Sequence, residues 1–450
     1  MSTKPYDLIV IGGGPAGYIA AERARQDGMK VLLIENKDLG GVCLNEGCIP
    51  SKAMLNAAKI YYQAAHGAPF GVIANDVSFD ISKLNAHKTG VKDMLRKGIS
   101  GIMKRAKVDV VNGLASLTAD RRVAVKGDTY EGANIFIATG SSPAAPPIPG
   151  IELDGVLDST GVLNLDRIPS SAVIIGGGVI GCEFACFFGS IGVPTTVIEM
   201  LPEICPVVDA DIAKTLRMEL SKKNITFHTG AAVKTIKESS VEFAVGDETM
   251  SVDRDIVLVA TGRRSNVNGL GLEDARVEFD RGGIKIDDRC ATNVPGVWAG
   301  GDVTGKVWLA HAASRMGEVV VNNIAGRDDR VRFDTIAGVI YTNPEVATVG
   351  LTEAAAKERG IPVKTGKMPM TANGRFLAEH SGERGLVKVV THAGTGALLG
   401  VHMVGGACSE MIYGAAAMIE TEVRVNEIKD LVFPHPTTSE IIRDTMFTLN

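Results

Sequence analysis

Residues 12–17 read Gly-Gly-Gly-Pro-Ala-Gly and follow an apolar run, Tyr6 to Ile11, with the continuous hydrophobicity of a buried parallel strand. A helical stretch to about residue 26 and a second strand over residues 30–35, closed by Glu35, complete a βαβ unit. In this G-x-G-x-x-G pattern Gly12 makes the tight turn, Gly14 lets the backbone approach a pyrophosphate, and Gly17 allows close helix–strand packing. The helix N-terminus offers free N–H groups to phosphate, and Glu35 stands where a ribose diol would be held. The device recurs. A strand over residues 172–175 leads into Gly176-Gly177-Gly178-Val179-Ile180-Gly181, then a helix to about residue 191 and a strand over 194–199. The interval from Gly12 to Glu35 is repeated from Gly176 to Glu199. Two fingerprints with equal internal spacing point to an α/β fold with two dinucleotide sites, and so to electron traffic between two cofactors. Glu199 would repel a 2′-phosphate, and Met200-Leu201-Pro202 supplies no cation to clasp one, so NAD is expected over NADP.

Between the fingerprints lies Gly40-Gly41-Val42-Cys43-Leu44-Asn45-Glu46-Gly47-Cys48-Ile49-Pro50-Ser51-Lys52. Five residues of regular helix would set the cysteine Cα atoms roughly 8.6 Å apart, beyond the ~7 Å that a disulfide tolerates. A Cys43–Cys48 bridge therefore requires distorted backbone, which Gly47 and Pro50 permit. Two reduced, buried cysteines that never meet are the other reading.

The chain of 450 residues is long enough for about three domains. A net charge of −5 argues against nucleic acid as a partner. No apolar run reaches the ~18 residues of a membrane span, and the first residues lack the pattern of a secretory signal. Seven cysteines form no even framework, which suits a reducing, cytoplasmic compartment.

Helices are expected near residues 52–66 and 81–106, followed by short strands and Ile135-Phe136-Ile137-Ala138-Thr139-Gly140. The proline-rich residues 142–150 read as a domain connection. A similar phrase, residues 257–264 with Gly262, closes the second unit, and residues 297–303 form a strand ending at Asp302. The chain thus leaves a first domain, builds a second and returns. From about residue 337 the texture becomes antiparallel, with strands expected at 339–341, 346–349, 386–390 and 397–404 and helices at 353–359, 409–420 and 439–446. This segment holds Phe433-Pro434-His435-Pro436-Thr437-Thr438-Ser439-Glu440. A carboxylate on His435 would orient the ring and raise its basicity, as a general base for thiols requires. Cys182 and Cys186, one helical turn apart, read as packed residues, and Cys205, Cys290 and Cys408 as isolated ones; no metal site is expected.

With these motifs together, the chain resembles the flavin-dependent pyridine nucleotide–disulfide oxidoreductases, and within them the dihydrolipoyl dehydrogenase branch. The resemblance rests on both fingerprints, residues 41–52, Ala260-Thr261-Gly262-Arg263-Arg264, Ala299-Gly300-Gly301-Asp302-Val303 and residues 435–440. It implies two Rossmann-like domains, the second inserted in the first, plus a C-terminal α+β dimerisation domain. The segments would be 1–147 and 271–336 for FAD, 148–270 for NAD and 337–450 for the homodimer interface. Gly12, Gly14, Gly17, Glu35, Lys52, Thr139, Gly140, Asp302 and Ala310 would serve FAD, with Lys52 near flavin N5 and paired to Glu183. Gly176, Gly178, Gly181, Glu183, Glu199 and Gly262 would serve NAD. Cys43 would be the exchange thiol, Cys48 the flavin-contacting one, and His435 with Glu440 the base. The implied reaction oxidises protein-bound dihydrolipoamide to lipoamide and reduces NAD⁺, on lipoyl-bearing proteins of 2-oxoacid dehydrogenase or glycine cleavage complexes. Three positions depart from the family pattern: Phe433 replaces a common His, Val42 a Thr, and Glu46 a Val. A glutathione-type or mercuric reductase and a non-catalytic nucleotide-binding dimer are the alternative readings of the same motifs.

Overall fold

The computed structural model describes residues 5–449. The chain divides into two compact units: one takes the chain up to Ala53, Asn85–Ala144 and Gly262–Phe333, the other Met54–Leu84, Ala145–Thr261 and the chain from Asp334 onward. Both combine parallel sheets with helices, as the α/β reading expects.

In the first unit a parallel sheet runs in the spatial order Val297–Ala299, Gly132–Ile137, Tyr6–Ile11, Val31–Glu35, Asp109–Asn112. Leu8, Ile9 and Val10 are wholly buried, as a central strand covered on both faces requires. The helix Pro15–Gln26 buries a face of small residues, Ala16, Ala20, Ala21 and Ala24. That face admits the helix Ala310–Ile324 so closely that a Cβ on Gly317 would strike the Ala16 carbonyl. A small antiparallel sheet, Ala115–Leu117, Val123–Val125 and Asp128–Tyr130, completes the core with Leu270 and Leu272.

The second unit contains its own parallel sheet, ordered Ile225–Thr229, Thr195–Glu199, Ala172–Ile175, Ile256–Val259, Val156–Leu157. The helix after the glycine turn, Val179–Ser190, is buried at every position from Gly181 to Ser190. The C-terminal part is an antiparallel sheet, ordered Gly338–Ile340, Glu345–Gly350, Leu398–Gly405, Leu386–His392, Val363–Pro369. Four of these strands are those expected; Val363–Pro369 is an additional edge strand. The helix Ala210–Leu220 was also not foreseen, although Asp209 caps it and Ile212, Leu216 and Leu220 are its buried positions. Among the described residues no helix is long and apolar enough to cross a membrane.

An ion cluster around a buried lysine joins parts of the second unit. Lys388 Nζ contacts Asp209 (2.8 Å), Asp211 (2.9 Å) and Glu353 (2.9 Å), and the Lys388 and Asp209 side chains are each 4% exposed. Hydrogen bonds from Lys367 and Lys388 hold the Asp211 pKa down at about 2. That carboxylate's contribution to stability is therefore complete above its ordinary pKa and is lost as pH falls toward 2. Removing the lysine would leave Asp209 buried and unpaired. Lys388→Met is expected to lower stability by about 3–5 kcal/mol, measured by denaturant unfolding at neutral pH.

Candidate active site

Each glycine of the first fingerprint has a distinct local reason. Gly12 has φ +109°, and a Cβ there would meet the Ala138 carbonyl. A Cβ on Gly17 would collide with the Gly12 carbonyl oxygen. Gly14 differs: its φ of −75° and ψ of −174° suit any residue, and the nearest atom to an added Cβ is 3.8 Å away. In the second fingerprint Gly176 and Gly181 repeat the first two roles, and Gly178 (φ −72°, ψ −174°) has no protein atom within 4 Å of an added Cβ. The protein itself does not need glycine at positions 14 and 178. Each stands at the N-terminus of its own 12-residue helix, where free N–H groups suit a phosphate.

The acidic strand ends are held alike. Glu35 accepts hydrogen bonds from the N–H of Gly13 (2.6 Å) and of Lys37 (2.8 Å). Glu199 accepts them from Gly177 (2.6 Å) and Leu201 (2.7 Å). Each carboxylate is thus tied to its own glycine turn, with lone pairs remaining for hydroxyl groups.

The cysteine segment is two helices, not one. A short helix, Gly41–Glu46, ends at Gly47 (φ −150°, ψ −108°), and a second, Cys48–Ala65, begins at once. The break brings the Cα atoms of Cys43 and Cys48 to 4.6 Å, and the two form a disulfide. Asn45 Nδ2 ties the short helix back to the carbonyls of Gly41 (2.9 Å) and Leu39 (3.2 Å). The N–H of Gly40 donates to the Gly13 carbonyl at 2.8 Å, so the disulfide is anchored on the first glycine turn. The Glu46 charge is met by Lys37 at 3.0 Å. Lys52 follows Cys48 by one turn, on the same side of the helix Cys48–Ala65.

Asp302 lies in a 3₁₀ turn, Gly301–Thr304, where burial raises its pKa. Its Oδ2 accepts from Ser141 Oγ at 2.6 Å. Thr139 Oγ1 donates to the Asn266 carbonyl (2.9 Å), and Asn266 Nδ2 returns a bond to the Thr139 carbonyl (2.9 Å). Gly140 and Gly262 take φ of +70° and +118°, and Ala310 opens its helix.

In the second unit Glu440 Oε1 and Oε2 lie 3.0 and 3.2 Å from His435 Nδ1. The Thr437 N–H, at 2.9 Å, and then the imidazole hold the Glu440 carboxyl below the usual range. His435 is 82% exposed, so its Nε2 is open. Glu183 is buried on the helix Val179–Ser190 and accepts the Tyr341 N–H at 3.0 Å. Cys182 and Cys186 are buried as expected of packed residues, and Cys290 and Cys408 are buried too, but Cys205 is not isolated: its Sγ lies 3.5 Å from that of Cys182. Residues 23 positions apart meet there because Cys205 closes back on the second glycine turn, donating its N–H to the Gly177 carbonyl.

Comparison with known proteins matches this arrangement to one family. Residues 6–317 match pyridine nucleotide-disulphide oxidoreductase, and residues 336–446 match the dimerisation domain of the same family. Dihydrolipoyl dehydrogenase 3 of Pseudomonas putida is 40% identical, covering 99% of this chain and 98% of its own. The dihydrolipoyl dehydrogenase of Thermus scotoductus is 42% identical over 97% of this chain and 96% of its own. Among solved structures, the HOCl-induced flavoprotein disulfide reductase RclA from Escherichia coli has a TM-score of 0.87 at 28% identity, covering 99% of this chain and 100% of that one. The chain belongs to the pyridine nucleotide-disulphide oxidoreductases.

Within this oxidoreductase, spacing alone missed Ser141, Arg263 and Asn266, whose bonds span more than a hundred residues of chain, and Ser265, which reaches Asp302 across 37. Repetition of the Ala-Thr-Gly phrase at 138–140 and 260–262 was the one available hint. The glycine geometry separates ligand from fold. Gly178→Ala is expected to leave stability within about 1 kcal/mol, the scale of a changed helix cap, while impairing NADH binding. Gly181→Ala is expected to destabilise by about 1–3 kcal/mol through overpacking. Thermal melts beside NADH titrations check both.

Proposed function

We propose that this oxidoreductase is a dihydrolipoyl dehydrogenase working as a cytoplasmic homodimer with FAD and NAD. The observation that carries the reading is the Cys43–Cys48 disulfide, built on the first glycine turn. Relatives of that name at about 40% identity over nearly the whole chain support the substrate class. Gly12, Gly14, Gly17, Glu35, Lys52, Thr139, Gly140, Asp302 and Ala310 would hold FAD; Gly176, Gly178, Gly181, Glu183, Glu199 and Gly262 would hold NAD. The segments divide as 1–147 with 271–336, 148–270, and 337–450. The partners are lipoyl-bearing proteins of 2-oxoacid dehydrogenase or glycine cleavage complexes. His435 stands exposed on a single chain, within the segment matched to the dimerisation domain, which supports a base completed by a second subunit.

In this reading Glu440 accepts the Nδ1–H of His435 and leaves Nε2 as the proton acceptor. A dihydrolipoyl thiol gives its proton to Nε2, and the thiolate attacks Cys43 Sγ. A bond forms from substrate sulfur to Cys43 while the Cys43–Cys48 bond breaks, releasing the Cys48 thiolate. Cys48 is the better leaving thiolate because it opens an 18-residue helix, where the N-terminal dipole favours an anion. The substrate's second thiol, deprotonated in turn, attacks the mixed disulfide, frees Cys43 and departs as lipoyl disulfide. FAD, when bound, supplies the two-electron acceptor between the dithiol and NAD⁺.

The test is reduction of lipoamide, glutathione disulfide and mercuric ion with NADH and with NADPH. Lipoamide with NADH is expected to be the fastest pair; faster turnover of glutathione disulfide would discard the reading. His435→Gln is expected to slow dihydrolipoamide oxidation by about 10²–10⁴, the scale of a lost general base, with the flavin spectrum unchanged. Steady-state kinetics near neutral pH check it.

A further inference from the structure

Asp302 is held from two directions by the strands that carry the chain out of the first unit and back into it. Ser141–Pro143 and Arg263–Ser265 pair antiparallel, with Ser141 opposite Ser265. Ser265 Oγ donates to the Asp302 main-chain carbonyl at 2.9 Å, and Ser141 Oγ donates to its Oδ2 at 2.6 Å. Behind Ser141 stands Arg263, whose Nε donates to Ser141 Oγ at 2.7 Å and whose Nη2 donates to the Ser141 carbonyl at 2.9 Å. Ser141 is 2% exposed, so water does not compete for its hydroxyl.

The order of donors gives the chain of contacts a direction. A serine hydroxyl has one hydrogen to give and lone pairs to receive. With Arg263 filling a lone pair, the hydrogen of Ser141 is committed to Asp302. Burial works against the Asp302 charge, and the Ser141 hydrogen bond and Arg263 charge oppose that effect. A guanidinium used only to join two strands would need just its bond to the Ser141 carbonyl.

We propose that Arg263 and Ser141 are positioning residues for Asp302: they pin Oδ2, so that Oδ1 is presented to the ribityl hydroxyls of FAD. The inference rests on the flavin reading of the first site. Arg263 and Ser141 themselves act only through Asp302.

The experiment measures FAD release from the purified holoprotein as recovery of flavin fluorescence, beside a thermal melt. Ser141→Ala, the mildest change, and Arg263→Met are each expected to speed release by about tenfold to a hundredfold, the scale of a hydrogen bond to a charged group. Combining them is expected to add less than about threefold to the larger single effect, because both act through one carboxylate. Arg263→Lys is expected to recover part of the retention by restoring the charge. Release unchanged in Ser141→Ala, or single effects that multiply in the double variant, overturns the proposal alone. A wild-type protein that retains no flavin overturns the reading of the first site, and the proposal with it.

Discussion

Contact of backbone on backbone at glycine is the constraint on which the site depends. Gly17 lies on the Gly12 carbonyl and Gly181 on that of Gly176, leaving no room for a side chain. Each helix is thereby pressed against its strand, and its first N–H groups face outward at the carboxyl edge of a parallel sheet. Gly41 extends the same packing, since a Cβ there would come within 2.6 Å of the Gly14 Cα. The disulfide helix is therefore seated on the first dinucleotide turn itself. Its nearness to that turn follows from packing, not from the path of a loop.

That seat would be of no use if the segment were regular. Continuous helix would hold the cysteines about 8.6 Å apart, whereas the break at Gly47 closes them to 4.6 Å. The break also makes the two sulfurs unequal. Cys43 lies within a six-residue helix pinned by Asn45, and Cys48 begins one of 18 residues. Helix-dipole stabilisation is greater at the start of the longer helix, on the second.

Local pattern reached the parts of the fold whose physics is local. The strand Tyr6–Ile11 and the strand Ala172–Ile175 were bounded correctly because buried parallel strands are continuously apolar. Val363–Pro369 was missed because it is an edge strand, half exposed, carrying Lys364, Gly366 and Lys367 and so no apolar run. The meander Ala231–Ile236, Ser240–Val245, Glu248–Asp253 escaped for the same reason, its outer strand exposing Glu248 and Thr249. The helix Ala210–Leu220 carried its signal in plain form, an Asp cap and apolar residues at helical spacing. At the site, the cysteines, the strand-end acids and the His435–Glu440 pair were legible as motifs. Their supports were not: Ser141 meets Asp302 across 161 residues and Tyr341 meets Glu183 across 158. Such pairs are created by topology, and no short window contains both partners.

Duplication explains the common turn, and what covers each helix explains the difference between the copies. The helix Pro15–Gln26 keeps Arg23 and Gln26 exposed, whereas Val179–Ser190 is buried from Gly181 onward. On that covered surface Glu183 is 6% exposed, beside Phe184 at 5% and Phe188 at 0%. A carboxylate so placed costs several kcal/mol unless hydrogen-bonded. The loop after the strand Gly338–Ile340 offsets this by turning two N–H groups onto the helix, Tyr341 toward Glu183 and Asn343 toward Cys186 Sγ at 3.2 Å. An apolar residue at position 183 would suit its neighbours and require no such loop. The two N–H groups of that loop thus account for how a carboxylate is accommodated at position 183 on an otherwise apolar helix surface.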